Sequence, residues 1–98
     1  MKNWRKIDML TINYSSKFKK DYKRCQKQGR DMRLLQNVIS ILSIPTLLPP
    51  QNRDHGLPGN YIGKRECHIL SDWLLIYQVD GNELYLIRTG THAELFGI

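Results

Sequence analysis

Trp73-Leu74-Leu75-Ile76-Tyr77-Gln78-Val79 is an almost unbroken apolar run of aromatic, aliphatic and β-branched residues. A strand of that composition is expected at the centre of a sheet, buried on both faces. Asp80-Gly81-Asn82 follows and is a strong hairpin turn signal. Leu84 to Thr89 brings the chain back as the next strand, and Tyr61 to Leu70 supplies one on the upstream side. Thr91 to Ile98 is a short tail that must fold back to bury Leu95 and Phe96.

Towards the N-terminus, Leu10-Thr11-Ile12-Asn13-Tyr14 alternates as a further short strand. Ser15 or Ser16 can cap a helix whose buried stripe is Phe18, Tyr22 and Cys25, and Gly29 suits the left-handed residue that closes it. Asp31 caps a second helix. Met32, Leu35, Val38, Ile39 and Leu42 repeat there at three- and four-residue steps, Leu34 and Ile41 widen the stripe, and Pro45 ends it. Two such short helices joined by Gln28-Gly29-Arg30 are stable only when packed on something else, and the sheet is the natural partner. Residues 45–60 form a long loop rich in Pro and Gly that carries Asp54-His55; loops of that length are usually functional or disordered. The class is α+β, a helical hairpin on a small sheet.

The chain has 98 residues, enough for one domain with one modest core. No apolar run approaches the roughly 18–20 residues of a membrane span, and no apolar segment follows the basic N-terminus as in a signal peptide, so the cytoplasm is expected. Met9 reads like a second start, which makes residues 1–8 an extension and 9–98 the domain. The net charge of +6 is unevenly placed: residues 1–33 hold eleven Lys/Arg against three acids, whereas residues 34–98 hold four against six. Lys17, Lys19, Lys20, Lys23, Arg24 and Lys27 crowd the first helix. A polyanion partner, above all nucleic acid, fits that field, although a solvated lysine-rich face has the same composition.

The polar residues of the last third sit among strand sequence. Period-two alternation places Lys64, Glu66 and His68 on one face of their strand, with Arg65, Cys67 and Ile69 on the other, and gives Leu84, Leu86 and Arg88 a common face. With helices for one side only, the face bearing Lys64, Glu66 and His68 is expected to be exposed and is the natural place for a site. His55, His68 and His92 have no metal-ligand spacing, and Cys25 and Cys67 read as free thiols. A covalent nucleophile is poorly supported, because Cys67 should point away from His68 and Ser71 lies in a turn without an identifiable base. Acid–base chemistry by histidines tuned by an acid, with Arg88 on a phosphate, fits better.

Asp54-His55-x-Leu57, Gly63-x-Arg65-Glu66-Cys67-His68-Ile69, Asp72-Trp73-Leu74-Leu75-Ile76-Tyr77 and Arg88-Thr89-Gly90-Thr91-His92-x₂-Leu95-Phe96, taken together, resemble the YafQ branch of the RelE/ParE superfamily of bacterial type II toxins. The likeness covers about residues 9–97. It implies a RelE-like helical hairpin on a twisted, mainly antiparallel sheet, and a ribosome-dependent mRNA endoribonuclease that needs no cofactor or metal. By this resemblance His55, His68, Asp72, His92 and Phe96 are the catalytic set, and Trp73 and Arg88 line the site. Glu66, a secondary candidate, stands where many relatives carry Asp. The RNA 2′-OH would be the nucleophile, with His68 or Asp72 as base, His92 as acid, and His55 and Arg88 around the phosphate. The basic helix would grip ribosomal RNA while the site reaches the message in the A site. A DinJ-like antitoxin that also binds operator DNA would be the partner. A non-catalytic nucleic-acid-binding member and a ParE-like gyrase inhibitor are the alternatives on the same fold.

Overall fold

In the computed structural model, which describes residues 9–44 and 46–97, the apolar run is the central strand. β1 (Thr11–Tyr14), β2 (His55–Gly56), β3 (Arg65–Leu70), β4 (Trp73–Asp80) and β5 (Glu83–Gly90) form one sheet in the order β1-β5-β4-β3-β2. β1 runs parallel to β5, and the other pairings are antiparallel. Trp73 to Tyr77 are all buried. Gly81 takes φ 59° between β4 and β5, the conformation a glycine-first hairpin turn demands. The proposed extension at residues 1–8 and the helix stop at Pro45 lie outside the described residues.

α1 (Ser16–Lys27) is capped by Ser15, whose Oγ accepts from Phe18 N at 2.9 Å, and α2 (Met32–Ser43) by Asp31, which accepts from Arg33 N at 3.1 Å. Gly29, at φ 77°, makes the turn between them. Phe18, Cys25, Leu35, Val38, Ile39 and Leu42 pack on Cys67, Ile69, Trp73, Leu75, Tyr77, Leu84 and Leu86 across one face of the sheet. Leu34 does not widen the stripe; it stays 39% exposed, because the neighbouring turns of α2 already fill the sheet contact through Leu35 and Val38.

The opposite face is covered, contrary to the expectation of an open polar surface. Leu74, Ile76 and Leu95 form a second apolar cluster there, joined by Leu57, Tyr61, Ile87 and Phe96 from the loop, β5 and the tail. Glu66 and His68 are buried beneath this cover, at 4% and 8% exposure. The tail becomes α3 (His92–Phe96), started by a reciprocal capping box between Thr91 and Glu94. Tyr61 belongs to a 3-10 turn (Gly59–Tyr61), and Gly63 at φ 88° breaks the extended run, so β3 starts only at Arg65 and Lys64 precedes it. No helix among the described residues is long and apolar enough to cross a membrane.

β5 carries the irregularity that matters most. Leu86 lies opposite Tyr77, yet Arg88 lies opposite Ile76, so Ile87 is an extra residue and the strand bulges. Arg88 therefore leaves the face shared by Leu84 and Leu86, which corrects the simple alternation. β1 pairs β5 only as far as Leu86, and α1 side chains take over the edge beyond it. Ser15 Oγ donates to Ile87 O (2.8 Å), Asp21 accepts from Thr89 N (3.1 Å), and Arg24 Nη2 donates to Thr89 O (2.8 Å). Asp21, only 3% exposed, also accepts from Arg88 Nε (2.7 Å), Arg88 Nη2 (3.1 Å) and Arg24 Nη1 (2.8 Å).

Burial pushes the Asp21 carboxyl up, but the bonds from Arg88, the Thr89 N–H and Arg24 together hold it below the usual carboxylate range. A carboxyl depressed in the folded state contributes stability that is complete above its unfolded value of about 4 and is lost as pH falls through the lower folded value. Asp21→Ala strands two arginines and a strand N–H, which should cost about 3 kcal/mol or more. Urea denaturation at pH 7 checks this, and an unchanged midpoint would refute it. The same titration repeated in acid should show wild-type stability falling more steeply than that of the variant.

Candidate active site

Three different elements bring the histidines into line. His55 sits on β2 directly opposite Glu66, His68 lies two residues further along β3, and His92 opens α3. Their rings follow one another at centroid distances of 6.3 Å (His55–His68) and 6.0 Å (His68–His92). Phe96, one helical turn after His92, continues the arc at 6.3 Å, and Tyr61 meets Phe96 edge-on at 5.7 Å. All five positions that the resemblance implied to be catalytic, Asp72 included, thus lie close together on one side of the sheet, with His68 recessed beneath the loop and tail.

The loop that delivers His55 is pinned on both sides. Asp54 accepts from Tyr77 Oη (2.7 Å) and Arg65 Nε (3.2 Å), while Asn52 Nδ2 donates to His68 O (2.7 Å). Arg53 adopts the left-handed conformation (φ 50°), uncommon for a non-glycine residue, which turns its carbonyl onto the His55 ring.

Hydrogen bonding then assigns the tautomers. His55 Nδ1 lies 2.7 Å from Arg53 O and His68 Nδ1 3.1 Å from Ser71 O; a carbonyl can only accept, so both Nδ1 atoms carry hydrogen. Both Nε2 atoms are left facing the same buried oxygen, Glu66 Oε1, at 3.2 and 3.8 Å. His92 Nδ1 lies 2.7 Å from Asp72 Oδ1, which also accepts the His92 backbone N–H at 3.0 Å. That backbone bond, then the imidazole, holds the Asp72 carboxyl below its usual range. His92 Nδ1 is the nitrogen used in this pair, which leaves Nε2 outside it on a half-exposed ring.

The remaining expected residues are placed differently. Trp73 is 1% exposed: its ring packs under the sheet with the helices and its Nε1–H bonds Thr89 Oγ1 at 3.0 Å, so it supports the site and cannot touch substrate directly. Arg88 gives Nε and Nη2 to Asp21, leaving Nη1 beyond that pair. Arg24 is bound to Asp21, Thr89 O and Glu94 (3.2 Å), which removes it from the set of free cations on α1; Lys17, Lys19, Lys20, Lys23 and Lys27 remain exposed. The Cys67 thiol is fully buried and pushed up to about 12 by that burial, which excludes a thiolate nucleophile. Among the described residues no three His, Cys, Asp or Glu side chains are grouped to ligate one metal ion.

Asp21 and Tyr61 support the site without being site candidates in the sequence, and Asp54 and Gly90, which stand in the quoted motifs, support it through contacts that the motifs do not reveal. Asp21 does carry a signal: it lies three residues after Phe18 and four before Cys25, on the buried stripe of an otherwise basic helix. Gly90 is required by close approach, since a Cβ there would lie 2.5 Å from Arg24 Nη2 and 2.8 Å from Glu94 Oε1. The stretch Arg88-Thr89-Gly90-Thr91-His92 is therefore fully used. Arg88 pairs with Asp21, Thr89 supports Trp73, Gly90 permits close contact, Thr91 caps α3 and His92 pairs with Asp72.

A family model described as the YafQ bacterial toxin of type II toxin–antitoxin systems matches residues 10–97. The chain is 44% identical over 87 residues to the mRNA interferase toxin YafQ of Escherichia coli K12, covering 88% of this chain and 95% of that one. Its structure matches that of YafQ from E. coli BL21(DE3) with a TM-score of 0.86 at 42% identity, over 90% of this chain and 99% of the other. A chain of the E. coli DinJ–YafQ toxin–antitoxin complex matches with a TM-score of 0.85 at 42% identity, over 91% and 99%. The fold is the α+β architecture the resemblance implied, and the chain belongs to the YafQ family of bacterial type II toxin–antitoxin toxins.

Proposed function

We propose that this protein is an endoribonuclease that cleaves messenger RNA in the ribosomal A site, in the cytoplasm, and is neutralised by a DinJ-like, operator-binding antitoxin. The observation that carries this reading is the His92–Asp72 pair, with a free Nε2, set 6.0 Å across from the His68 ring. Two imidazoles at that spacing can flank one phosphate, the arrangement that concerted acid–base transfer requires. The reaction balances without a metal or cofactor. The 2′-oxygen attacks phosphorus as its proton passes to His68 Nε2, and the bond to the 5′-oxygen breaks as His92 Nε2 protonates it. A 2′,3′-cyclic phosphate and a 5′-OH end result.

Each neighbour has a role in this scheme. Asp72 orients His92 and stabilises its charged form; with Oδ1 already taken by two His92 N–H groups, it is less suited to be the base than His68. Glu66 Oε1, 3.8 Å from His68 Nε2 and 3.2 Å from His55 Nε2, offers a counter-charge to either imidazole when that nitrogen carries a proton. Arg88, fixed by Asp21, presents Nη1 to the phosphorane; stabilising such developing charge is often the chief source of rate enhancement. Phe96 offers an aromatic face to an unstacked base. Neither a gyrase inhibitor nor a non-catalytic binder needs this histidine arrangement.

His92→Gln keeps the backbone bond to Asp72 but cannot exchange a proton; cleavage of ribosome-bound message should fall about 10²–10⁴-fold with little change in melting temperature. Primer extension measures this, and cleavage at the wild-type rate would overturn the assignment. Reversing Lys19, Lys20 and Lys23 to Glu should weaken ribosome binding and flatten its dependence on salt, because each lost phosphate contact releases fewer counterions. Unchanged affinity across a salt series would remove α1 from the ribosome interface.

A further inference from the structure

We propose that Arg30 is a further RNA-binding residue of this site, holding the phosphate next to the scissile one on the His92 side. The inference rests on the endoribonuclease reading above and adds a residue to it.

Arg30 lies in the turn between α1 and α2. Arg24, Arg33, Arg65 and Arg88 each have a carboxylate oxygen within 4.0 Å. Arg30 has no such partner among the described residues. It is fixed by neutral groups instead: its backbone N–H donates to Cys25 O (3.2 Å), its Nε donates to Gln28 Oε1 (3.1 Å), and its Cζ lies 5.0 Å from the centre of the Trp73 ring. Ordering an arginine without neutralising it leaves a pre-placed cation, and a planar guanidinium suits a phosphate.

Its location points to the same use. Trp73 directly follows Asp72, the residue that holds His92, and Gln28, which accepts from Arg30 Nε (3.1 Å), donates in turn to Glu94 Oε2 (2.9 Å) in the first turn of α3. Arg88 has already committed two of its nitrogens to Asp21, so a substrate spanning more than one phosphate needs a second cation beside the histidine arc. A purely structural Arg30, with its guanidinium over Trp73, would show itself as a loss of melting temperature that matches the loss of activity in any variant removing that contact.

Arg30→Met keeps an unbranched apolar side chain beside Trp73 and removes the charge; Arg30→Lys keeps the charge. The phosphate could belong to the message or to ribosomal RNA, so two arms are measured at several salt concentrations: cleavage of A-site message, and binding to ribosomes without message. Arg30→Met should lower kcat/KM for cleavage about 10-fold and flatten its logarithmic salt slope by about 0.7, the share of one single-strand phosphate. Message-free binding and melting temperature should stay near wild type, and Arg30→Lys should recover most of the activity. An unchanged salt slope, an equal loss in the message-free arm, or a loss that follows melting temperature alone would overturn the inference while leaving the endoribonuclease reading intact. Absence of cleavage by the wild-type protein would overturn both.

Discussion

The buried carboxylate of Asp21 is the interaction on which most of this molecule depends. Four hydrogen bonds converge on it, from two arginines and a strand amide. A helix does not ordinarily close a sheet edge, because its own backbone groups are already paired. Here side chains of α1 do so, with Asp21 accepting and Arg24 donating to the two backbone groups of Thr89. The arrangement protects an edge that β1 leaves uncovered beyond Leu86. It also fixes the direction in which the chain leaves β5, and that direction determines where His92 begins α3.

The covered second face raises an energetic question. Glu66 and His68 lie beneath loop and tail where apolar side chains would cost nothing to desolvate, and a buried carboxylate is tolerated only with partners. The groups that face it come from separate chain segments, His55 Nε2 from the loop and His68 Nε2 from the same strand, and each pairs with it only when that nitrogen carries a proton. A core built for stability alone would not use such a trio. A site that must meet a developing charge with groups already in place would, since reorganisation during the reaction is then avoided. The pinned loop fits this account, because Asp54, Asn52 and the left-handed Arg53 all restrict His55.

Much of this is legible in the sequence, for definite reasons. The apolar run from Trp73, the hairpin glycine, the serine and aspartate caps and the two helical stripes follow local rules, and the structure places each near its expected position. The histidines are identifiable as types, but their convergence depends on pairings between distant segments, such as His55 with Glu66. Two failures share one cause. Regular strand geometry is assumed for both Arg88 and Tyr61, and it holds only while a strand stays regular; the extra residue at Ile87 and the turn at Gly63 each interrupt it. Trp73 and Arg24 fail differently. Both have side chains with a polar end, and only the tertiary structure shows that each end is used internally, on Thr89 and on Asp21 and Glu94.

These internal uses connect two surfaces that look independent in sequence. α1 turns its lysines outward, while from its inner side Arg24 lies 3.2 Å from Glu94, the residue that completes the capping box beneath His92. Gln28, at the end of the same helix, donates to Glu94 Oε2 at 2.9 Å. Gly90 allows the approach, because any side chain there would push Arg24 and Glu94 apart. The exposed lysines and the contacts that position His92 therefore belong to one helix. The distance between the lysine face and the histidine arc is set by one short helix. That gives a physical reason for a basic helix to carry a buried aspartate and a committed arginine: the same residues that secure the fold fix the placement of the histidine arc relative to the basic face.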